Sequence, residues 1–489
     1  MEAAARPAHR IVTGPVAAIE PALVDHAFAA KRGDPLRPVV ILVGETLLRP
    51  YLRRRLAELG GPHLNIHVLT VAELGLRLGE RAMISARRLP LPVLADRILT
   101  HEAALASPGY FDAVRGTLGF GQVLHRTLGD LQRAGITPER LGEAADGQPE
   151  REKVDALAAM AKRHAELRAD HYDADDALAA ADPERLGADQ LLVYGLWEAP
   201  EILRRAIAGI GERFPVTAYF ATAHPAADRA HAGLRGWLTE ALGARSEHLS
   251  ATVDGGTLLG RLHSRLGARR PEPAASPGDG SVGIVSAPDP SREVAAALRT
   301  CLAWAREDIA FHEMAIAYRH ADPYRALVAA IAREANLPIY DNVGTPLGEL
   351  PVGRRTLALL DLLENDLDRA SVIAFATDSA MPPETRARYR GSPAQWDRFS
   401  REAGVVRGRE QWAQRLDALR ERLEERLGGD EDRPRAPWLE ERLEQIDGLK
   451  TFVADLAACV ERRPGEAPWS EHVSHLEETL NAYLTDHKA

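Results

Sequence analysis

The chain has 489 residues, a net charge of −10 and 45% hydrophobic residues, a length that suggests about three domains at roughly 100–200 residues each and an apolar share that can build a large core. The acidic balance argues against a small basic DNA-binding module, though less against a large protein with a local basic groove. No apolar run approaches the ~20 residues of a membrane span, and Met1–Arg10 lacks the layout of a signal peptide, which reads as a cytoplasmic protein.

The first elements alternate between strand and helix. Arg10–Gly14 is a short apolar strand ending in Gly-Pro, and Pro38–Gly44 holds a β-branched apolar run of the kind found in buried parallel strands. A helix is predicted from Glu45 to Leu59. Leu48, Tyr51, Leu52, Leu56 and Leu59 form one face, and Arg49, Arg53 and Arg54 the other. Leu64–Thr70 is the next strand. Such alternation implies βαβ crossovers and a parallel sheet. From Leu91 to Leu186 the chain is rich in Ala and Leu with no strand pattern, which predicts a helical insertion. Thr137 precedes Pro138 there as a helix N-cap signal, and Asp173–Asp176 is read as an acidic cluster at a helix N-terminus. Strands return at Gln190–Gly195 and Phe214–Phe220.

Arg270–Ser281 is a linker by composition. A second α/β unit is expected after it, with strands Ser281–Ser286, Met314–Tyr318 and Leu337–Tyr340 and helices Arg292–Ala305 and Pro323–Ala335 between them. From about Leu357 the chain reads as helical. Trp412, Leu416, Leu419, Leu423 and Leu427 form one stripe, and Trp438, Leu439, Leu443 and Ile446 begin another. Packing within a helical domain is favoured over a coiled coil.

The first strand-to-helix turn is where a phosphate-binding P-loop would sit. That loop needs glycines for close backbone approach, a Lys for the phosphate oxygens and a Ser or Thr for magnesium. Counting from Gly14, the second glycine is Ile19, the lysine is Glu20 and the hydroxyl residue is Pro21. Glu20 would repel phosphate and Pro21 lacks an N–H. The acids that hold magnesium would end a later strand, where Tyr194 and Gly195 stand. Either the first segment is a plain strand and turn, or a nucleotide site has decayed; losses in both expected places favour decay. No metal site is expected. Cys301 and Cys459 are too few for a four-thiolate centre, and His312-Glu313 reads as a surface pair.

The order of these parts resembles the UvrD-like helicase architecture in the altered form of AddB-type subunits of bacterial helicase–nuclease complexes. Val39–Leu56 followed by Val68–Leu74 resembles the segments after the P-loop, with Thr70 retained and a family His replaced by Ala72. Leu191–Ile207 resembles the strand and helix around the acidic motif, in its Gly-centred form. Ser291–Val294 with Ala317–Tyr324 resembles the opening of the second motor domain, whose motif Arg matches Arg319, and Leu337–Leu363 resembles the segment after it.

The resemblance implies two RecA-like parallel-sheet domains with helical insertions. The first would occupy 1–90 and 188–268, interrupted by a helical insertion at 91–187. A linker at 269–281, the start of the second domain at 282–360 and a shortened helical domain at 361–489 would follow. It implies work on double-strand breaks in end resection and recombinational repair, bound to single-stranded or broken duplex DNA and to an AddA-type helicase–nuclease subunit as a heterodimer. The degenerate nucleotide site would be Gly14, Ile19, Glu20, Pro21, Tyr194 and Gly195. Candidate DNA contacts are Thr46, Arg49, Arg53, Thr70, Arg319 and Tyr324. No catalytic residue and no cofactor is expected in this chain. The family's PD-(D/E)XK exonuclease needs a Glu/Asp-x-Lys on a strand; this sequence offers Asp486-His487-Lys488 alone, and the cysteines of the family's iron–sulfur cluster are missing. The nuclease is therefore expected outside this sequence. The alternative is an α/β and helical interaction scaffold with no nucleic-acid role.

Overall fold

The structure is a computed structural model that describes residues 7–144, 149–222, 228–250, 256–265, 278–341, 344, 346–378, 381–427 and 437–484. Contacts divide the chain into two compact units, Met1–Asp308 and Ile309–Ala489.

The strands of the first unit are β1 (Arg10–Gly14), β2 (Val39–Val43), β3 (Ile66–Leu69), β4 (Leu89–Pro90), β5 (His171–Tyr172), β6 (Leu191–Tyr194), β7 (Val216–Ala221) and β8 (Arg245–His248). Six of them form one sheet in the order β3-β2-β6-β7-β1-β8, and every neighbouring pair is parallel. The expectation of a parallel α/β sheet therefore holds for this unit. All five residues of β2 are buried, as its unbroken apolar run predicts. Its side chains alternate between two cores: Val40 and Leu42 join one, Val39, Ile41 and Val43 the other.

Helices α1 (Val16–Ala29) and α2 (Leu48–Gly60) cover one face of the sheet through Ile19, Leu23, Leu52 and Leu56. The helix predicted from Glu45 starts at Leu48, which leaves Thr46 in the loop after β2. Helix α3 (Val71–Ser85) contributes Leu74 and Leu78 to the other face. The insertion is helical as expected, with α4 (Val93–Leu105), α5 (Leu118–Arg133), α6 (Pro138–Ala144), α7 (Arg151–Leu167) and α8 (Ala174–Ala179). It also holds the short β5, which pairs with β4 where the sequence shows no strand pattern. Two residues are too few to display a period of two. Asp173 caps α8 in a reciprocal capping box with Asp176, in keeping with the acidic cluster read from the sequence. Helices α9 (Glu201–Gly211) and α10 (Ala232–Leu242) complete the second face with Ile202, Leu203, Leu234 and Leu238.

Part of the predicted linker, 269–277, lies outside the described residues. The three segments expected as strands of a second sheet are not paired into one. Ser281–Ser286, Met314–Tyr318 and Leu337–Tyr340 carry no strand. Their apolar residues lie open instead, Ile284 at 97% and Tyr340 at 85% exposure. An apolar run becomes a strand only when a neighbour takes its backbone hydrogen bonds, and among the described residues none does. The helices between them form nearly as expected, at Pro290–Arg306 and Tyr324–Glu334.

The second unit is helical around one core. Trp396, Trp412, Phe375 and Phe452 are its largest buried side chains. Each buried indole N–H has a carbonyl to donate to: Trp412 to Leu367 at 2.7 Å and Trp396 to Arg390 at 2.9 Å. Leu416, Leu419 and Leu423 join the same core, so the stripe packs inward rather than forming a coiled-coil seam; the side chain of Leu427 lies outside the described residues.

Candidate functional site at the carboxyl edge of the sheet

Because the six strands are parallel, their carboxyl ends share one edge. The helix after β1 and the helix after β2 lie on one face, while the helices after β6 and β7 lie on the other. In the sheet β1 neighbours β7 and β2 neighbours β6. At both junctions the chain leaves to opposite sides, which is the arrangement that opens a ligand crevice outside the carboxyl ends of an α/β sheet. Gly14 ends β1, and the loops after β2, β3 and β6 carry Thr46, Thr70 and Gly195, so four residues chosen from sequence gather on this edge.

The positions aligned with a P-loop behave differently from a phosphate loop. Pro15 alone separates Gly14 from α1, so no run of free backbone amides is available to wrap a phosphate. Ile19, Glu20 and Pro21 lie within α1 rather than in a loop, and Ile19 is fully buried in the core. Glu20 is 2% exposed and is held from three directions. The Tyr51 hydroxyl donates to its Oε1 at 2.7 Å, the Tyr194 hydroxyl donates to the same oxygen at 2.7 Å, and Arg55 Nε donates to Oε2 at 3.0 Å. Glu20 stands where the sequence count puts a lysine, and Tyr194 where it puts a magnesium-holding acid; the structure joins the two by a hydrogen bond. Burial, reinforced by the bond to Glu20, pushes the Tyr51 hydroxyl up to about 12. Tyr194 is raised for the same two reasons, so both phenols stay neutral donors.

The crevice between β2 and β6 is closed by backbone. Gly195 has φ +63°, and a Cβ there would come within 2.4 Å of Leu48 Cδ1. A Cβ on Gly44 would come within 2.4 Å of the Gly195 carbonyl oxygen. Glycine at 195 thus answers both a left-handed turn and a close approach. Gly14 is crowded in the same way by the Leu249 carbonyl after β8, at 2.5 Å from a Cβ built there.

The candidate DNA contacts separate into two groups. Thr46, Arg49 and Thr70 meet at the β2–β3 end of the edge. The Arg49 N–H donates to the Thr46 carbonyl at 3.2 Å, and the Arg49 side chain pairs with Glu73 at 2.7 Å. Glu73 also closes a capping box with Thr70, whose hydroxyl accepts from the Glu73 N–H. Arg49 and Thr70 are therefore committed to internal partners, while Arg53, one turn further along α2, is exposed. Arg319 and Tyr324 belong to the second unit. Arg319 is exposed, and Tyr324 stacks on Tyr318 with ring centroids 6.2 Å apart.

Sequence reasoning passed over a cleft of about 640 Å³ between the helical insertion and α3. Asp96 accepts from His164 Nε2 at 2.9 Å and lies 3.4 Å from His125 Nδ1. Buried Arg168 pairs with Asp173 at 2.7 Å and Asp176 at 2.5 Å. These groups satisfy one another and read as a structural network. Among the described residues no cluster of His, Cys, Asp and Glu gathers as a metal site. Sequence reasoning also passed over Trp197, whose signal was a lone aromatic in the loop from Gly195 to Pro200. Compared with known proteins, the chain matches no protein-family model and shows no significant match to a curated protein.

Proposed function

We propose that this chain is the non-hydrolysing, helicase-like portion of an AddB-type subunit, which binds single-stranded DNA during double-strand-break end processing. In this reading the sheet of the first unit is the first RecA-like domain, and 282–360 corresponds in chain order to the opening of a second, although no strand forms there among the described residues. An AddA-type subunit in the cytoplasm supplies the motor. The observation that carries the reading is the Glu20–Tyr194 hydrogen bond. Two positions picked independently as the lost lysine and the lost acid of one nucleotide site lie in contact, as the two ends of one decayed site would. The buried carboxylate and the missing amide loop leave no place for a triphosphate, while the carboxyl edge remains the ligand side of the sheet.

The test is anisotropy of a labelled single-stranded oligonucleotide titrated with the protein at rising salt. Binding should weaken steadily with salt, since phosphate contacts release counterions. Absence of binding at low salt would favour the interaction scaffold, a reading in keeping with the net charge of −10 and with the Arg49–Glu73 pair.

A further inference from the structure

We propose that Trp197, backed by His231, is a stacking platform for an unpaired nucleobase at the carboxyl edge of the sheet; the proposal rests on the single-strand reading above and names the contact that reading lacks. Trp197 follows β6 in the loop that begins at Gly195. Its neighbours Leu196 and Ala199 are buried, yet the indole itself is 48% exposed. The ring is nonetheless fixed. It stacks on His231, with centroids 5.4 Å apart and planes 21° from parallel. His231 is 1% exposed, donates from Nε2 to the carbonyl of Ala221 at the end of β7 at 3.2 Å, and packs against Phe220 at 5.0 Å. One indole face is thus stacked on a buried support tied to the end of β7, and the loop that carries the ring follows β6 at the carboxyl edge of the sheet.

This arrangement suits a base better than a phosphate. Arg49 is already paired with Glu73, whereas a flat aromatic surface accepts any base through its π-face. A ring already held by His231 also loses little freedom on binding. The other exposed tryptophans among the described residues, Trp304, Trp438 and Trp469, lie within helices rather than in a loop that follows a strand of the sheet.

The experiment compares wild type with Trp197→Ala, Trp197→Leu and Trp197→Phe in the oligonucleotide titration, with an abasic oligonucleotide of equal length as the second probe. Trp197→Leu keeps an apolar cover over His231 but removes the flat face, so it separates stacking from folding. The Ala and Leu variants should bind the normal strand roughly 5- to 100-fold more weakly, the range for one stacked base. The Phe variant should stay close to wild type. On the abasic strand all four proteins should bind alike, and the salt slope should not change, because no phosphate contact is removed. Wild-type binding that Trp197→Leu leaves intact would overturn the platform and leave the single-strand reading standing. Failure of wild type to bind any single strand would overturn both.

Discussion

At the scale of single residues, Glu20 decides how the turn between β1 and α1 is read. A carboxylate only 2% exposed is tolerable because two hydroxyls and a guanidinium meet it. Glu20→Ala would leave Arg55 without that partner and both phenols unsatisfied, at a cost of about 3 kcal/mol. A urea unfolding midpoint should fall accordingly, and Glu20→Gln, which keeps an acceptor, should fall less. An unchanged midpoint in the Ala variant would show that the cluster holds nothing together. Sequence singled out Glu20 and Tyr194, but neither their contact nor the parts of Tyr51 and Arg55 in the cluster were legible there. Counting from Gly14 picked Glu20 out as an odd residue, but its partners lie 31, 35 and 174 positions away, and local pattern carries no information over such separations. Trp197 was missed for a related reason: its meaning depends on His231, brought beside it by the fold of β7.

At the scale of elements, legibility followed burial. The run Val39–Val43 announced a central strand because both its faces are covered. The edge strand β8, Arg245–His248, was not anticipated, since all four residues are exposed and polar and it pairs in the sheet with β1 alone. The reverse error came from Ser281–Ser286, Met314–Tyr318 and Leu337–Tyr340, which are apolar enough for strands but have no ladder partner among the described residues. Thr70 lies between these cases. It was chosen as a DNA contact, yet Thr70 and Glu73 are also the Ser/Thr-x-x-Glu pattern of a capping box, and α3 is capped that way. Thr70→Ala should therefore cost about 1 kcal/mol of stability with or without DNA, and Thr70→Ser should restore it. Thermal unfolding checks this; a Thr70→Ala protein as stable as wild type would return the hydroxyl to a purely ligand role.

At the scale of the whole molecule, buried and half-buried histidines tie the stability of the first unit to pH. Burial lowers the pKa of His9, His26, His67, His125 and His231 below the ordinary 6.5. A folded-state pKa below the unfolded value means that the unfolded chain binds more protons between the two, so stability falls as pH drops below 6.5. Asp175 and Asp176, raised by burial, oppose this only near the carboxylate range. The unfolding temperature should be lower near about pH 5.5 than near about pH 7.5, and a flat or inverted profile would contradict the neutral, buried state of these rings. The central claim is that this α/β unit keeps the ligand edge of a nucleotide-dependent motor after losing the nucleotide. The most direct measurement follows oligonucleotide anisotropy and ATP turnover together in one sample of wild-type protein. The account predicts salt-sensitive binding of the single strand with no turnover. Turnover above background would contradict it, because Glu20, buried and held by Tyr51, Tyr194 and Arg55, stands where a phosphate-binding lysine would be needed.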